Sequence, residues 1–435
     1  MGCGCLLAIQ IIGGFENVRI PKKYIFINFT YMDDVKIRSV SFKSFKCFED
    51  MEIDCKKDKA TLYQWTVLLG NNNTGKTSIL KAIAELRPKR IHYVSKKSKE
   101  EDNLVPAFFF CIDEKNEISE ECMVSSQISS FAPTPWVYGK KMCSVDSTGK
   151  LERFYMFGYG VSRYTSNTSL SDQVCGDCDT LFSQEKRLVN LEEWLMQIDY
   201  AAKNNNELAA KRLAKIREIL CGNIFPEIFD FKFESSDSMH NYVLFKTKDG
   251  WFRYTQLGYG YQSMLSWVID LCKRLFDKYP DSDNPLQEGA VVLIDEIDLH
   301  LHPKWQRDII SIISNVFKNV QFIVTTHSPL VIQSMEEVNL YVLRRQGEKV
   351  MVERSPVTNF SGWTVEEILR DAMKMEEDVY SDLLQANYSL FEEALDQNDR
   401  EKARNAYYKL MDILHPQNPQ KRLMKLQFDQ MGEND

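Results

Sequence analysis

The chain has 435 residues, enough for two or three domains, and 44% of them are apolar, which supplies a large core and excludes wholesale disorder. Its formal charge of −8 excludes a global electrostatic pull toward DNA or anionic membranes, so any nucleic-acid contact must be a local patch. Eleven cysteines scattered without a paired framework predict reduced thiols and a cytoplasmic protein.

Residues 1–34 read as an N-terminal extension without an assigned role. The apolar run Leu6 to Ile12 is too short to span a bilayer, and no basic segment precedes it as a secretory signal requires. Gly2 raises N-myristoylation, but Leu6 or Leu7 stands where that motif asks for Ser or Thr.

The strongest local signal follows. Thr66-Val67-Leu68-Leu69 predicts a buried strand, and Gly70-Asn71-Asn72-Asn73-Thr74-Gly75-Lys76-Thr77-Ser78 then matches G-x-x-x-x-G-K-[ST]. Ile79 to Leu86 has apolar residues at helical spacing, and Pro88 ends that helix. A chance match in a glycine-containing turn is the competing reading, and the strand and helix flanks argue against it. The chemistry needs these residue types. Glycines let successive N–H groups face one phosphate, and the helix N-terminus adds its positive end. Asn71, Asn72, Asn73, Thr74, Gly75, Lys76, Thr77 and Ser78 would line the cradle. Lys76 would bring a mobile charge to the β- and γ-phosphates of ATP, and Thr77 would ligate Mg2+.

Residues 101–150 read as a β-rich insertion, with Phe108 to Ile112 as one strand. Cys175-Gly176-Asp177-Cys178 has metal-ligand spacing, but no second pair follows to complete a structural zinc site. Residues 171–256 read as a short helical arm with connecting strands, its helices at Leu191 to Tyr200 and Glu207 to Leu220. Lys211, Arg212, Lys215 and Arg217 give the second helix a basic face, which is either a DNA-phosphate contact or a solvated helix surface.

Gly258 and Gly260 precede a helix at Met264 to Leu271 and make a second anion-binding N-terminus. The first phosphate site does not need it, which points to a nucleotide held by another subunit. Ala290 to Ile294 then reads as a strand buried on both faces, closed by Asp295 and Glu296. Asp295 would hold Mg2+ through its water shell, and Glu296 would polarise the attacking water as general base. The strand Val320 to Thr326 ends at His327-Ser328-Pro329, where His327 would sense the γ-phosphate or hold the water. The bland alternative is a helix-capping Ser328 beside an ordinary histidine.

After Arg345 the sequence turns helical and charged. Thr364 and Glu367 form a possible capping box, and Tyr380 to Leu395 with Arg400 to Leu414 predict a helical hairpin. His415 alone does not make a nuclease centre, so this region reads as a docking platform for another protein.

This ordered set resembles the ABC-type ATPase superfamily, in the branch holding SMC-like, OLD-like and related AAA-named ATPases. The resemblance covers residues 35–345 with gaps. It rests on Ile37 to Lys46, the phosphate loop, Gly258 to Ser263, Leu293 to Pro303 and Thr326 to Pro329. It implies an α/β fold: a P-loop NTPase head with a β-rich insertion, a short helical arm and an α-helical C-terminal region. The implied parts are lobe 1 at 35–170, the arm at 171–256, lobe 2 at 257–345 and the docking region at 346–435. It implies a homodimer or higher homo-oligomer in which two heads sandwich two nucleotides, so that Gly258 to Ser263 acts in trans. The family has a serine where Gly258 stands, which puts that side-chain contact in question and suggests slow or regulated hydrolysis. The family's Q-loop region falls at Phe157 to Arg163 without a glutamine, leaving Tyr159 or Arg163 to replace it. Similarity to SMC-like heads assigns the adenine contact to Lys43 through Lys46, although Phe42, Phe45 and Phe48 read as core.

The layout is most similar to the ATPase subunit of Septu-type anti-phage systems, the PtuA family, and to ATPases encoded with some retrons. There the ATPase works with a separate HNH nuclease. The resemblance therefore implies a regulatory ATPase with an HNH partner, DNA or RNA–DNA contact through the complex, and no membrane. The alternatives are an SMC-like DNA-repair ATPase that binds DNA directly and, fitting less well, a transporter ATPase subunit.

Overall fold

The computed structural model describes residues 24–31, 35–43, 45–48, 50–58, 61–85, 107–112, 118–125, 155–166, 176–222, 224–237, 241–374 and 381–431; of 24–31, 35, 43, 107–112 and 118–125 it describes the backbone. In chain order the strands are β1 Tyr24–Tyr31, β2 Val35–Lys43, β3 Asp50–Asp54, β4 Trp65–Gly70, β5 Ala107–Ile112, β6 Ile118–Ser125 and β7 Met156–Tyr159. They continue as β8 Asp230–Ser235, β9 Asn241–Thr247, β10 Gly250–Arg253, β11 Ala290–Ile294, β12 Val320–Thr326, β13 Asn339–Gln346 and β14 Lys349–Arg354. The helices of the head are α1 Lys76–Glu85, α2 Asp179–Phe182, α3 Leu191–Lys203, α4 Glu207–Leu220, α5 Tyr259–Lys278, α6 Pro303–Val316 and α7 Pro329–Gln333.

The apolar runs assemble a six-stranded sheet of order β14-β13-β4-β12-β11-β7. Strands β13, β4, β12, β11 and β7 run parallel, and β14 closes the β13 edge antiparallel. Every residue of β4, β11 and β12 is buried, as expected of strands covered on both faces. Alternation splits their side chains between two layers. Leu68, Leu293 and Ile323 pack with Ile79, Leu80 and Ile83 of α1 and with Phe42, Phe45 and Phe48, so the three phenylalanines are core. On the other side Trp65 stacks on Phe322 at 4.2 Å, and its indole N–H donates to Ser314 of α6 at 2.7 Å.

A five-stranded antiparallel sheet, β3-β2-β1-β5-β6, holds the beginning of the chain. The Gln321 side-chain amide locks it to the parallel sheet, donating to Ile37 O and accepting from Ile37 N, both at 2.8 Å. Two sequence boundaries shift here. Residues 24–31, within the N-terminal extension, form a strand paired with β2 and β5. The predicted insertion at 101–150 contributes two strands to the same sheet, and its remainder lies outside the described residues.

The arm helices form as expected, each capped by an asparagine: Asn190 accepts from Glu193 N and Asn206 from Ala209 N. A separate three-stranded sheet, β10-β9-β8, accompanies them. Helix α5 starts at Tyr259, earlier than the apolar periodicity indicated.

Contacts divide the chain after Trp363, so the head runs past the expected boundary at 345 and includes β14. β14 belongs to the head because it forms a hairpin with β13 through Gly347 at φ +62. The second unit, Thr364–Asp435, opens on the predicted Thr364–Glu367 capping box. After the short helical turns Val365–Glu367 and Ile368–Ala372, its longer helices are α8 Asp382–Asp396, α9 Arg400–Ile413 and α10 Gln420–Gln430, the last not foreseen. They enclose Phe391, Ala403, Leu410 and Met424, with Tyr407 stacked on Phe428 at 5.0 Å.

Candidate nucleotide site

The parallel sheet inserts β12 between the phosphate-loop strand β4 and the acidic strand β11. All three strands run the same way, so their C-terminal ends open on one edge, where ligands gather in open α/β sheets.

At the end of β4 the chain turns through Asn73 at φ +62 and Gly75 at φ +85 and enters α1 at Lys76. Gly75 is required twice over: its φ disfavours L side chains, and a Cβ would stand 2.6 Å from the Phe48 ring. Thr74 is a brace, not a free ligand, since it is buried and donates to Asn71 O at 2.8 Å. Asn71, Asn72 and Asn73 are exposed. The Lys76 ammonium donates to the carbonyls of Gly70 at 2.7 Å and Asn71 at 2.9 Å, so it is held at the mouth of the loop. Burial lowers its pKa to about 8, against the opposing pull of Asp295, Glu296 and Asp298. Lys46 reaches the loop from the side, donating to Ser78 Oγ at 3.3 Å. The Lys43 side chain lies outside the described residues.

The second half meets the first directly. Thr77 Oγ1 donates to Asp295 Oδ2 at 2.7 Å across 218 positions of sequence. Thr325 Oγ1 donates to the other oxygen, Oδ1, at 2.6 Å, so the buried Asp295 carboxylate is gripped on both sides. The same Thr325 hydroxyl accepts from Glu296 N at 2.7 Å. Thr326 donates to Asp298 Oδ1 at 2.5 Å. Glu296 itself sits at φ +50, a left-handed conformation uncommon outside glycine.

His327 follows on the end of β12, half-buried. Its pKa is lowered, first by burial and then by Lys76, while Glu296, Asp298 and Asp295 oppose the shift, so the neutral imidazole is favoured. Ser328 does cap a helix: it accepts from Leu330 N and Val331 N and donates to Gln306 Oε1 at 2.7 Å.

Thr77, Lys76, Asp295, Glu296 and His327 are therefore neighbours in the structure. Thr325, Thr326 and Asp298 were missed as site residues. Their signal was two hydroxyls ending an otherwise apolar buried strand, opposite a second acid. Of the two Q-loop candidates, Tyr159 points away: it is buried, and its hydroxyl donates to Asp270 Oδ2 at 3.0 Å. Arg163 reaches the site, donating from Nη2 to the backbone carbonyls of Asp295 and Glu296.

At the start of α5, Gly258 and Tyr259 are exposed. Gly260 packs on the turn after Glu296, where a Cβ would stand 2.6 Å from His300 O. Gly258 is under no such constraint: its φ is −60, and among the described residues the nearest atom to a Cβ there is 3.9 Å away.

The predicted basic face of α4 is partly engaged with its own chain, while Lys211 is exposed. Arg212 donates to Phe276 O and lies over that ring, Arg217 pairs with Asp230, and Lys215 pairs with Glu218. Cys178 is buried with its thiol toward Met156 O, and Cys175 lies outside the described residues. Among the described residues no helix is long and apolar enough to cross a membrane.

The donor set fits magnesium, a hard cation that takes one or two protein oxygens and keeps waters and phosphate oxygens for the rest. Thr77 Oγ1 and the Asp295 carboxylate converge beside the turn that carries Gly75 and Lys76.

Residues 158–333 match the family model described as AAA domain, putative AbiEii toxin, Type IV TA system, and residues 35–125 match the AAA ATPase domain model. Both matched segments are similar to AAA-type ATPase domains. Among its relatives is the Septu protein PtuA of Bacillus thuringiensis, 35% identical over 217 residues, 49% of this chain and 54% of that protein. The Retron Ec83 probable ATPase of Escherichia coli is 42% identical over 130 residues, 30% of this chain and 24% of that protein. The match thus spans about half of the Septu protein and a smaller part of the retron ATPase. The solved SMC head domain from Thermotoga maritima is 13% identical, with a TM-score of 0.35, over 78% of this chain and 100% of that one. The chain thus resembles the Septu and retron ATPases, as its motifs implied, and its fold is α/β.

Proposed function

We propose that the protein binds and hydrolyses Mg-ATP as the regulatory ATPase of an anti-phage defence complex. The observation that carries the ATPase half is the Thr77–Asp295 hydrogen bond, which brings the phosphate-loop hydroxyl and the acidic strand end to one point. Lys76 leaves its two carbonyl acceptors for the β- and γ-phosphates. Thr77 and Asp295 hold Mg2+, whose charge offsets that developing on the phosphates when it is bound. Glu296 takes the proton of the attacking water, and the neutral His327 positions that water or senses the γ-phosphate.

The defence half rests on similarity to the Septu and retron ATPases. Two copies close with the exposed Gly258 end of α5 facing the partner's nucleotide. The C-terminal unit docks a separate HNH-type nuclease, with nucleic acid reached through the complex. Leu383, Leu390, Tyr408, Leu423 and Leu426 are exposed on its helices, a surface suited to a protein partner. The contacts of Arg212 with Phe276 O and of Arg217 and Lys215 with carboxylates reduce the free positive charge of α4 and weigh against direct DNA binding there.

The test compares Lys76→Ala with Glu296→Gln by nucleotide binding and by native mass measurement with and without ATP. Lys76→Ala should lose binding. Glu296→Gln should bind ATP without cleaving it and accumulate as a closed dimer. Parental binding by Lys76→Ala would remove the site, and a Glu296→Gln protein that stays monomeric in ATP would remove the dimer.

A further inference from the structure

We propose that Arg163 is a positioning residue for hydrolysis: it fixes the backbone that aims Glu296. This rests on the Mg-ATP reading given above.

Glu296 occupies the left-handed region at φ +50, and a non-glycine residue stays there only where its surroundings over-determine it. Both peptide groups of Glu296 are pinned. Its N–H donates to Thr325 Oγ1 at 2.7 Å, and its carbonyl accepts from Arg163 Nη2. The same Nη2 donates to Asp295 O at 2.5 Å, and Nε donates to Gly160 O at 2.9 Å. One side chain thus bridges the end of β7 to two consecutive carbonyls of the acidic turn.

A planar fork of donors suits three carbonyls at fixed angles, whereas an ammonium offers one point charge. The residue is only 2% exposed, and burying a guanidinium among carbonyls is a poor way to gain stability alone. Its own backbone is held too. Leu188 N donates to Tyr164 O and Ser166 N donates to Leu188 O, both at 2.9 Å, which anchors the residues that follow Arg163. The arginine therefore projects from a fixed base onto a strained turn, the arrangement that pre-organises a base before substrate arrives.

The test uses the full chain with Arg163→Lys and Arg163→Met. Three quantities are read: affinity for a fluorescent ATP analogue, steady-state kcat and KM, and amide hydrogen exchange in the nucleotide-free protein. Arg163→Lys should keep nucleotide affinity within about threefold and lose about 30- to 100-fold in kcat, the scale of a misplaced reacting group. Exchange should rise in residues 295–301 and stay at the parental level in β4 and α1. In the Glu296→Gln background, Arg163→Lys should cost nothing further in turnover. If Arg163→Met does not fold, the lysine variant decides. Parental kcat and exchange in Arg163→Lys, or equal losses of affinity and turnover, would overturn the proposal. A parent chain that neither binds nor hydrolyses ATP would instead sink the ATPase reading itself.

Discussion

Thr77 Oγ1 and Asp295 Oδ2 lie 2.7 Å apart, one on the first turn of α1 and the other past the end of β11. The carboxylate is nearly inaccessible, and its second oxygen is taken by Thr325. Such a buried, doubly hydrogen-bonded acid is rigid, and it stands beside the hydroxyl that a phosphate-bound magnesium would share.

Asp295→Asn should therefore separate metal-dependent from metal-independent nucleotide binding. ATP affinity measured in excess Mg2+ should fall at least tenfold, while affinity in EDTA should match the parent. Thr77→Ala should act in the same direction. An equal loss with and without metal would place the Asp295 contribution elsewhere.

Lys76 gives a pH signature. Its folded-state pKa of about 8 lies below the ordinary lysine value because burial disfavours the charge. Phosphate binding favours the ammonium, so above about pH 8 ATP should bind with proton uptake and with affinity that weakens as pH rises. Calorimetry in buffers of different ionisation enthalpy should show that uptake near pH 8.5 and its absence near pH 6.5. Stability follows the opposite sense. The lowered folded pKa makes the charged lysine a cost below pH 8, relieved as pH rises toward the unfolded lysine value. The gap in Tm between Lys76→Met and the parent should narrow over that window.

Gly258→Ser tests the signature segment. The backbone there is open to a side chain, and serine is a good N-cap, so Tm should stay equal or rise slightly. If α5 faces a partner's nucleotide, the added hydroxyl should raise ATP turnover at protein concentrations that allow dimers and leave it unchanged in dilute protein. A fall in turnover under both conditions would contradict that placement.

Asp270 should be a stability residue, not a nucleotide residue. It is buried in α5, accepts from Tyr159 Oη at 3.0 Å and from Arg274 Nε at 2.5 Å, and Arg274 also reaches Asp177 at 2.8 Å. Asp270→Ala leaves the buried Tyr159 phenol without its acceptor and takes one of two carboxylate partners from the half-buried Arg274, and should cost about 1–3 kcal/mol. Chemical denaturation of the head should show that loss, and ATP affinity of the remaining folded protein should be near parental. The Gly176–Cys178 turn acquires its role here, since Asp177 and the carbonyl of Gly176 both receive Arg274.

By itself the sequence determined the local elements: the buried strands β4, β11 and β12, the phosphate loop into α1, the acids ending β11, and the asparagine- and serine-capped helices. These follow from short-range physics, because apolar runs, glycine at positive φ and capping side chains act over a few residues. Only the tertiary structure decided which ends meet. It placed β12 between the two motif strands, and so made Thr325 the residue that orders both Asp295 and Glu296. It also gave Arg212 and Arg217 of α4 partners within the head and carried the head past 345 into β14. Strand order, ion pairing and the reach of one arginine depend on contacts between segments far apart in the chain, and no local pattern of residues encodes them.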